Sequence, residues 1–86
     1  MHIILSRNFE KKFVKLDKKV QTKFRARRDL FFENPYHSLL NNHSLSGDRS
    51  GQWSINITGD WRVIYTWQDK QTVIFIDIDT HSNLYK

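Results

Sequence analysis

Apolar positions follow two different periods along the chain. Phe9, Phe13 and Leu16 recur at i, i+4 and i+7, one face of a helix, while Lys11, Lys12 and Lys15 fall elsewhere on it. Ser6 is a suitable N-cap, and the spacing predicts a first helix ending near Leu16. Asp17 can cap a second, with Val20, Phe24, Leu30 and Phe31 as its buried stripe. Asn34-Pro35 stops it, because proline lacks a backbone donor and disfavours helix in the residue before it. Ahead of both helices, Ile3 to Leu5 reads as an edge strand.

Beyond the proline the pattern changes. Residues 36 to 52 are irregular and polar, a loop carrying His37 and His43. Trp53, Ile55 and Ile57 then alternate with Ser54, Asn56 and Thr58, the period of a half-buried strand. Thr58-Gly59-Asp60 turns the chain into a strand from Trp61 to Trp67, with Trp61, Val63, Tyr65 and Trp67 on one face and Arg62, Ile64 and Thr66 on the other, open face. After Gln68 to Gln71 comes a last strand, Thr72 to Asp79. Trp53, Trp67, Phe75 and the row Ile74, Ile76, Ile78 are expected in the core. The expected fold is α+β: an N-terminal strand, a two-helix hairpin, and an antiparallel three-strand meander with the helices packed on one sheet face.

A length of 86 residues suits one compact domain, here 1–86, and the 14% aromatic content supplies the large side chains that so small a core needs. With no cysteine there is no disulfide, thiolate zinc site or cysteine nucleophile. The opening apolar run is too short for a signal peptide or a membrane span, so a cytoplasmic protein with no membrane partner is expected.

Charge alters the picture more. Residues 1–28 hold ten basic side chains against two acidic ones, a net of +8, whereas the remainder holds four against seven, a net of −3. Such clustering suits a polyanion. The candidate RNA contacts are Lys11, Lys15, Lys18, Lys19, Lys23, Arg25, Arg28, Arg49 and the ring of Trp61. The second half carries His43, Asp60, Arg62, His81 and Tyr85, side chains able to move protons around a phosphate. The same residues have plainer readings: Asp60 as a turn residue, Arg62 as the ion-pair partner of Asp77 or Asp60. Asp60, Asp77, Asp79, His43 and His81 also raise a divalent-metal site, but their spacing matches no metal motif, and no metal or cofactor is expected.

Leu45-Ser46-Gly47 through Ile55, Gly59-Asp60-Trp61-Arg62-Val63-Ile64-Tyr65, and Thr80-His81-Ser82-Asn83-Leu84-Tyr85, placed after a strand and a basic helical pair, resemble the RelE/ParE superfamily of bacterial toxins, most closely its YafQ-like branch. The resemblance implies a type II toxin that cleaves messenger RNA on the ribosome and is silenced by a cognate antitoxin. It carries the branch's catalytic histidine before the "LSG" motif onto His43, its Asp-Trp pair onto Asp60 and Trp61, its C-terminal histidine onto His81 and the aromatic four residues later onto Tyr85. Arg62 matches the strand arginine of the RelE branch. Two positions depart: Asn56 stands where the branch has a second histidine, and Asp77 where it has an arginine.

Metal-free RNA cleavage needs a base for the 2′-hydroxyl proton, an acid for the leaving 5′-oxygen and a cation for the charge on the phosphoryl oxygens. His43 and His81 would share the proton steps, Arg62 would clamp the phosphate, and Tyr85 or Trp61 would stack on a base. All of this needs the imidazoles of 43 and 81 to converge beside the guanidinium of 62. The alternatives are a gyrase-poisoning toxin similar to the ParE branch and a catalytically decayed RNA-binding member of the same fold.

Overall fold

The computed structural model describes residues 1–85. Strand β1 (His2–Leu5) leads into helix α1 (Arg7–Phe13) and helix α2 (Lys18–Glu33). Strands β2 (His43–Ser44), β3 (Trp53–Asn56), β4 (Trp61–Trp67) and β5 (Thr72–Thr80) follow, and the one-turn helix α3 (His81–Leu84) closes the chain. The strands form one sheet in the order β1-β5-β4-β3-β2, antiparallel except for β1, which runs parallel to β5. This is the α+β arrangement the sequence patterns imply, with β1 on an edge and β3-β4-β5 as the meander.

The helix boundaries follow from their caps. Ser6 Oγ accepts the Phe9 N–H at 3.0 Å, and Asp17 Oδ1 accepts the N–H groups of Lys19 at 2.7 Å and Val20 at 3.4 Å. Regular helix in α1 stops at Phe13 rather than near Leu16. The Lys15 and Leu16 N–H groups bond instead to the carbonyls three residues back, so the chain tightens before Asp17 starts α2. Asn34 ends α2 in an extended conformation, as its proline neighbour demands.

The core lies between the helices and one sheet face: Phe9, Phe24, Phe31, Leu40, Ile55, Ile57, Val63, Tyr65, Val73, Phe75 and Ile78. Phe9 and Phe24 lie 5.2 Å apart between ring centroids, and Phe31 meets Tyr65 edge-on at 5.0 Å. Burial of each such side chain contributes on the order of 2 kcal/mol, and the rings let short strands enclose a dry interior.

Two expectations need correction. Ile74 and Ile76 are only half-buried, and of that row Ile78 alone is core. Phe75 and Ile78 differ in parity, so both can face inward only if β5 holds an extra residue between them. It does: Tyr65 pairs with Phe75 while Ile64 pairs with Asp77, leaving Ile76 as a bulge. The bulge carbonyl accepts Ser6 Oγ at 2.7 Å and Asn8 Nδ2 at 3.3 Å. Past this point β1 no longer flanks β5, and α1 covers the strand instead. The second correction concerns the face expected to be open. Ile64 and Ser54 on it are fully buried, and Thr66 Oγ1 donates to the Gly51 carbonyl at 2.9 Å, so the loop before β3 lies against it.

Candidate active site

His43 is placed from the core outward. Buried Tyr65 donates its hydroxyl to Asn42 Oδ1 at 2.9 Å, and Asn42 Nδ2 donates to the Pro35 carbonyl at 3.0 Å. Burial pushes the Tyr65 phenol up to about 12, so it stays a donor at neutral pH. The next residue is His43, exposed, with Nδ1 2.8 Å from the Asn41 carbonyl. A carbonyl only accepts, so Nδ1 carries the proton and Nε2 presents its lone pair. β2 then pairs with β3, His43 opposite Ser54 and Ser44 opposite Trp53.

The loop joining these strands is closed by the Leu45 N–H on the Gln52 carbonyl at 2.9 Å. Within it Gly47 and Gly51 take positive φ angles of 64° and 88°, a backbone region that glycine enters without strain. The turn between them carries Arg49, whose Nη1 donates to Gln52 Oε1 at 3.1 Å. With α3 the loop bounds a groove of ≈ 560 Å³ lined by His43, Ser44, Leu45, Ser46, Asp48, Arg49, Leu84 and Tyr85. Arg49 is the one guanidinium in that lining.

α3 leads Tyr85 to this groove, whereas His81 at its start is exposed and outside the lining, touching it only through the Tyr85 ring. The Asp60 carbonyl accepts the His81 N–H at 2.8 Å, and the Tyr85 N–H returns to the His81 carbonyl at 3.1 Å. The His81 and Tyr85 rings sit 4.7 Å apart, tilted by 48°. Asp60 therefore contributes through its main chain at the hairpin turn, where its own N–H is held by Thr58 Oγ1 at 3.2 Å.

Arg62 does not join the groove lining. Its Nη1 donates to the carbonyls of Thr58 and Trp61, both at 3.0 Å, and its Nη2 to that of Gly59 at 3.2 Å, tying the β3–β4 turn together. Those bonds replace the convergence with His43 and His81 that the sequence suggested, and the ion pair with Asp77 or Asp60 as well. Trp61 is half-buried and packs against the core, so it offers no free stacking face comparable to the exposed Tyr85.

Asp77, standing where an arginine was expected, has a cation supplied from elsewhere. Lys12 Nζ lies 2.8 Å from Asp77 Oδ1 and 3.1 Å from Asp79 Oδ2. Burial works against the Lys12 charge, but the hydrogen bonds and charges of the two aspartates prevail and raise its pKa. Burial likewise opposes ionisation of Asp79, yet Asn83, the Thr80 N–H and Lys12 together hold it below the usual carboxylate range. Asp77 and Asp79 are thus committed to a lysine, and among the described residues no three His, Asp or Glu side chains converge as metal ligands.

The basic set lies on the two helices and, for Lys15, in the turn between them. Lys11, Lys15, Lys18, Lys19, Lys23 and Arg25 are exposed, while Arg28 is half-buried and paired with Asp29 at 3.1 Å. No motif singles out Asn42, held by Tyr65 and Pro35, or Ser44, placed by the β2–β3 pairing. The "LSG" motif was the available signal for the groove wall.

A groove of loop and one-turn helix lined by an imidazole, a guanidinium and a phenol, on a fold with a basic helical pair, has clear relatives. The family model for the bacterial toxin of a type II toxin-antitoxin system, YafQ, matches residues 1–86. The chain belongs to the YafQ family of such toxins. The crystal structure of YafQ from E. coli strain BL21(DE3) is 27% identical with a TM-score of 0.78, covering 98% of this chain and 97% of that one. The YoeB/ParE toxin from Agrobacterium tumefaciens shares the fold at 20% identity and a TM-score of 0.78, over 94% and 99% of the two chains. YafQ in the E. coli DinJ-YafQ complex is 27% identical with a TM-score of 0.75, over 98% of this chain and 97% of that one. No curated protein sequence matches significantly. Among the described residues no helix is long and apolar enough to cross a membrane.

Proposed function

We propose that this toxin is a ribosome-dependent endoribonuclease that cleaves messenger RNA by metal-free acid/base chemistry in the cytoplasm. The observation that carries the reading is the groove itself, which joins His43, Arg49 and Tyr85, with His81 packed on Tyr85. His43 Nε2 takes the 2′-hydroxyl proton, since Nδ1 is committed to the Asn41 carbonyl. The 2′-oxygen attacks phosphorus, the P–O5′ bond breaks, and His81 protonates the leaving oxygen. Arg49 meets the charge on the phosphoryl oxygens, taking the part that sequence reasoning gave to Arg62. Tyr85 stacks on a base. The exposed helix lysines hold the toxin against ribosomal RNA, an attachment that weakens steeply with salt.

Its partners are then the ribosome with its messenger and a cognate antitoxin, the last in keeping with the DinJ-YafQ complex. The test is controlled expression in bacteria with primer-extension mapping of transcripts. Growth arrest with discrete new 5′ ends, both abolished by His81→Ala, is the expected result. Intact transcripts, or an active His81→Ala variant, would overturn the reading.

One observation favours a rival. An acid at position 77, neutralised by Lys12, leaves no arginine there, as would suit a gyrase-poisoning toxin or a decayed RNA binder. Inhibition of purified gyrase with translation unaffected would decide for the first; ribosome binding without toxicity would decide for the second.

A further inference from the structure

Helix α3 is a single turn, far too short to persist through its own hydrogen bonds. Yet both rings on it must hold their places if the groove is to act. Its attachments are few: the Thr80 hydroxyl caps the Asn83 N–H at 3.3 Å, the Asp60 carbonyl takes the His81 N–H, and Leu84 is buried. The remaining one is a side-chain bond, Asn83 Nδ2 to Asp79 Oδ1 at 2.8 Å. Asp79 Oδ1 also receives the Thr80 N–H at 2.8 Å, and its other oxygen receives Lys12 Nζ.

We propose that Asp79, clamped by Lys12 of α1, is a positioning residue that fixes α3 through Asn83 and so sets the His81 and Tyr85 rings at the groove, an inference that rests on the nuclease reading for its catalytic consequence. Asp77 and Asp79 lie two residues apart on one face of β5, and two carboxylates so placed repel each other and resist a fixed geometry. Lys12 between them removes that repulsion and ties α1, the bulged end of β5 and α3 into one unit. The polarity matters: Asp79 can only accept and Asn83 supplies the donor. A loose one-turn helix would leave His81 sampling positions away from the leaving oxygen, and misplacement by about 1 Å can cost roughly a hundredfold in rate.

The test exploits that polarity. Asn83→Asp sets two carboxylates against each other, and adding Asp79→Asn restores one N–H···O bond with donor and acceptor exchanged, while the Thr80 N–H loses its acceptor. Two readouts are taken on the purified full chain: the nuclear Overhauser contact between the His81 and Tyr85 rings, and single-turnover cleavage on messenger-programmed ribosomes. Asn83→Asp should lose the ring contact and lower kcat by roughly tenfold to a hundredfold with KM unchanged. The double variant should recover both in part. An unchanged ring contact in Asn83→Asp, or a double variant no better than the single one, overturns the role of Asp79. A wild-type protein that leaves messenger RNA intact defeats the nuclease reading instead, and the ring contact still decides whether Asp79 positions α3.

Discussion

The Tyr65 hydroxyl donates to Asn42 Oδ1 at 2.9 Å, which joins a ring in the centre of the core to the residue just before His43. Folding of the core and placement of His43 are therefore linked through one hydrogen bond. Tyr65→Phe keeps the ring and its packing but removes the donor. It should cost about 1–2 kcal/mol of stability and lower cleavage by roughly tenfold, as measured by urea denaturation and single-turnover assays on programmed ribosomes.

The same phenol governs alkaline behaviour. Its pKa rises to about 12 in the folded protein because burial penalises the phenolate, against roughly 10 in an unfolded chain. The folded state then keeps a proton that the unfolded state releases, so stability is complete below about pH 10 and falls as pH rises towards 12. The raised pKa of Lys12 acts in the same direction. Denaturation midpoints measured from pH 8 to 11.5 should decline, and less so in Tyr65→Phe.

Acid acts through Asp79. Its pKa lies below the ordinary range although burial opposes this, because Asn83, the Thr80 N–H and Lys12 stabilise the carboxylate. Its contribution is present above the unfolded value of about 3.9 and is lost as pH falls through the folded one. Asp79→Asn should lack that contribution at neutral pH and flatten the stability profile below about pH 5 in chemical denaturation.

Arg49 and Arg62 should separate cleanly by what their removal damages. Arg49 faces the groove, so Arg49→Ala should lower cleavage by about 10²–10³-fold with the melting temperature unchanged. Arg62 binds three carbonyls of its own turn, so Arg62→Ala should destabilise the fold by about 1–3 kcal/mol, visible in thermal melts. Equal catalytic defects at unchanged stability would contradict this division.

These contrasts show what the sequence could and could not express. Ser6 and Asp17 announced their helices because a cap acts within three residues of itself, and the alternation from Trp53 to Trp67 announced a hairpin for the same local reason. The bulge at Ile76 was invisible, since it exists only relative to β4 and to the Ser6 and Asn8 donors some 70 residues away in the chain. β2 was hidden too, being two residues long with no room for an alternating pattern. Arg62 read as a phosphate ligand because nothing in a sequence says that the nearest acceptors are carbonyls of its own turn. The motifs containing His43 and Tyr85 do meet at one groove, whereas the bond of Asn42 to Tyr65, distant in the chain, has no local signal.

The chemistry of the cut ends tests the central claim most directly, that His43 in the groove and His81 behind Tyr85 act on RNA without a metal. Messenger-programmed ribosomes are incubated with the toxin in chelator, and the 3′ ends of the fragments are identified by mass spectrometry. Wild type should leave 2′,3′-cyclic phosphate or its 3′-phosphate product, and His43→Ala and His81→Ala should leave the message whole. Fragments ending in a 3′-hydroxyl, or normal cutting by either variant, would contradict the account.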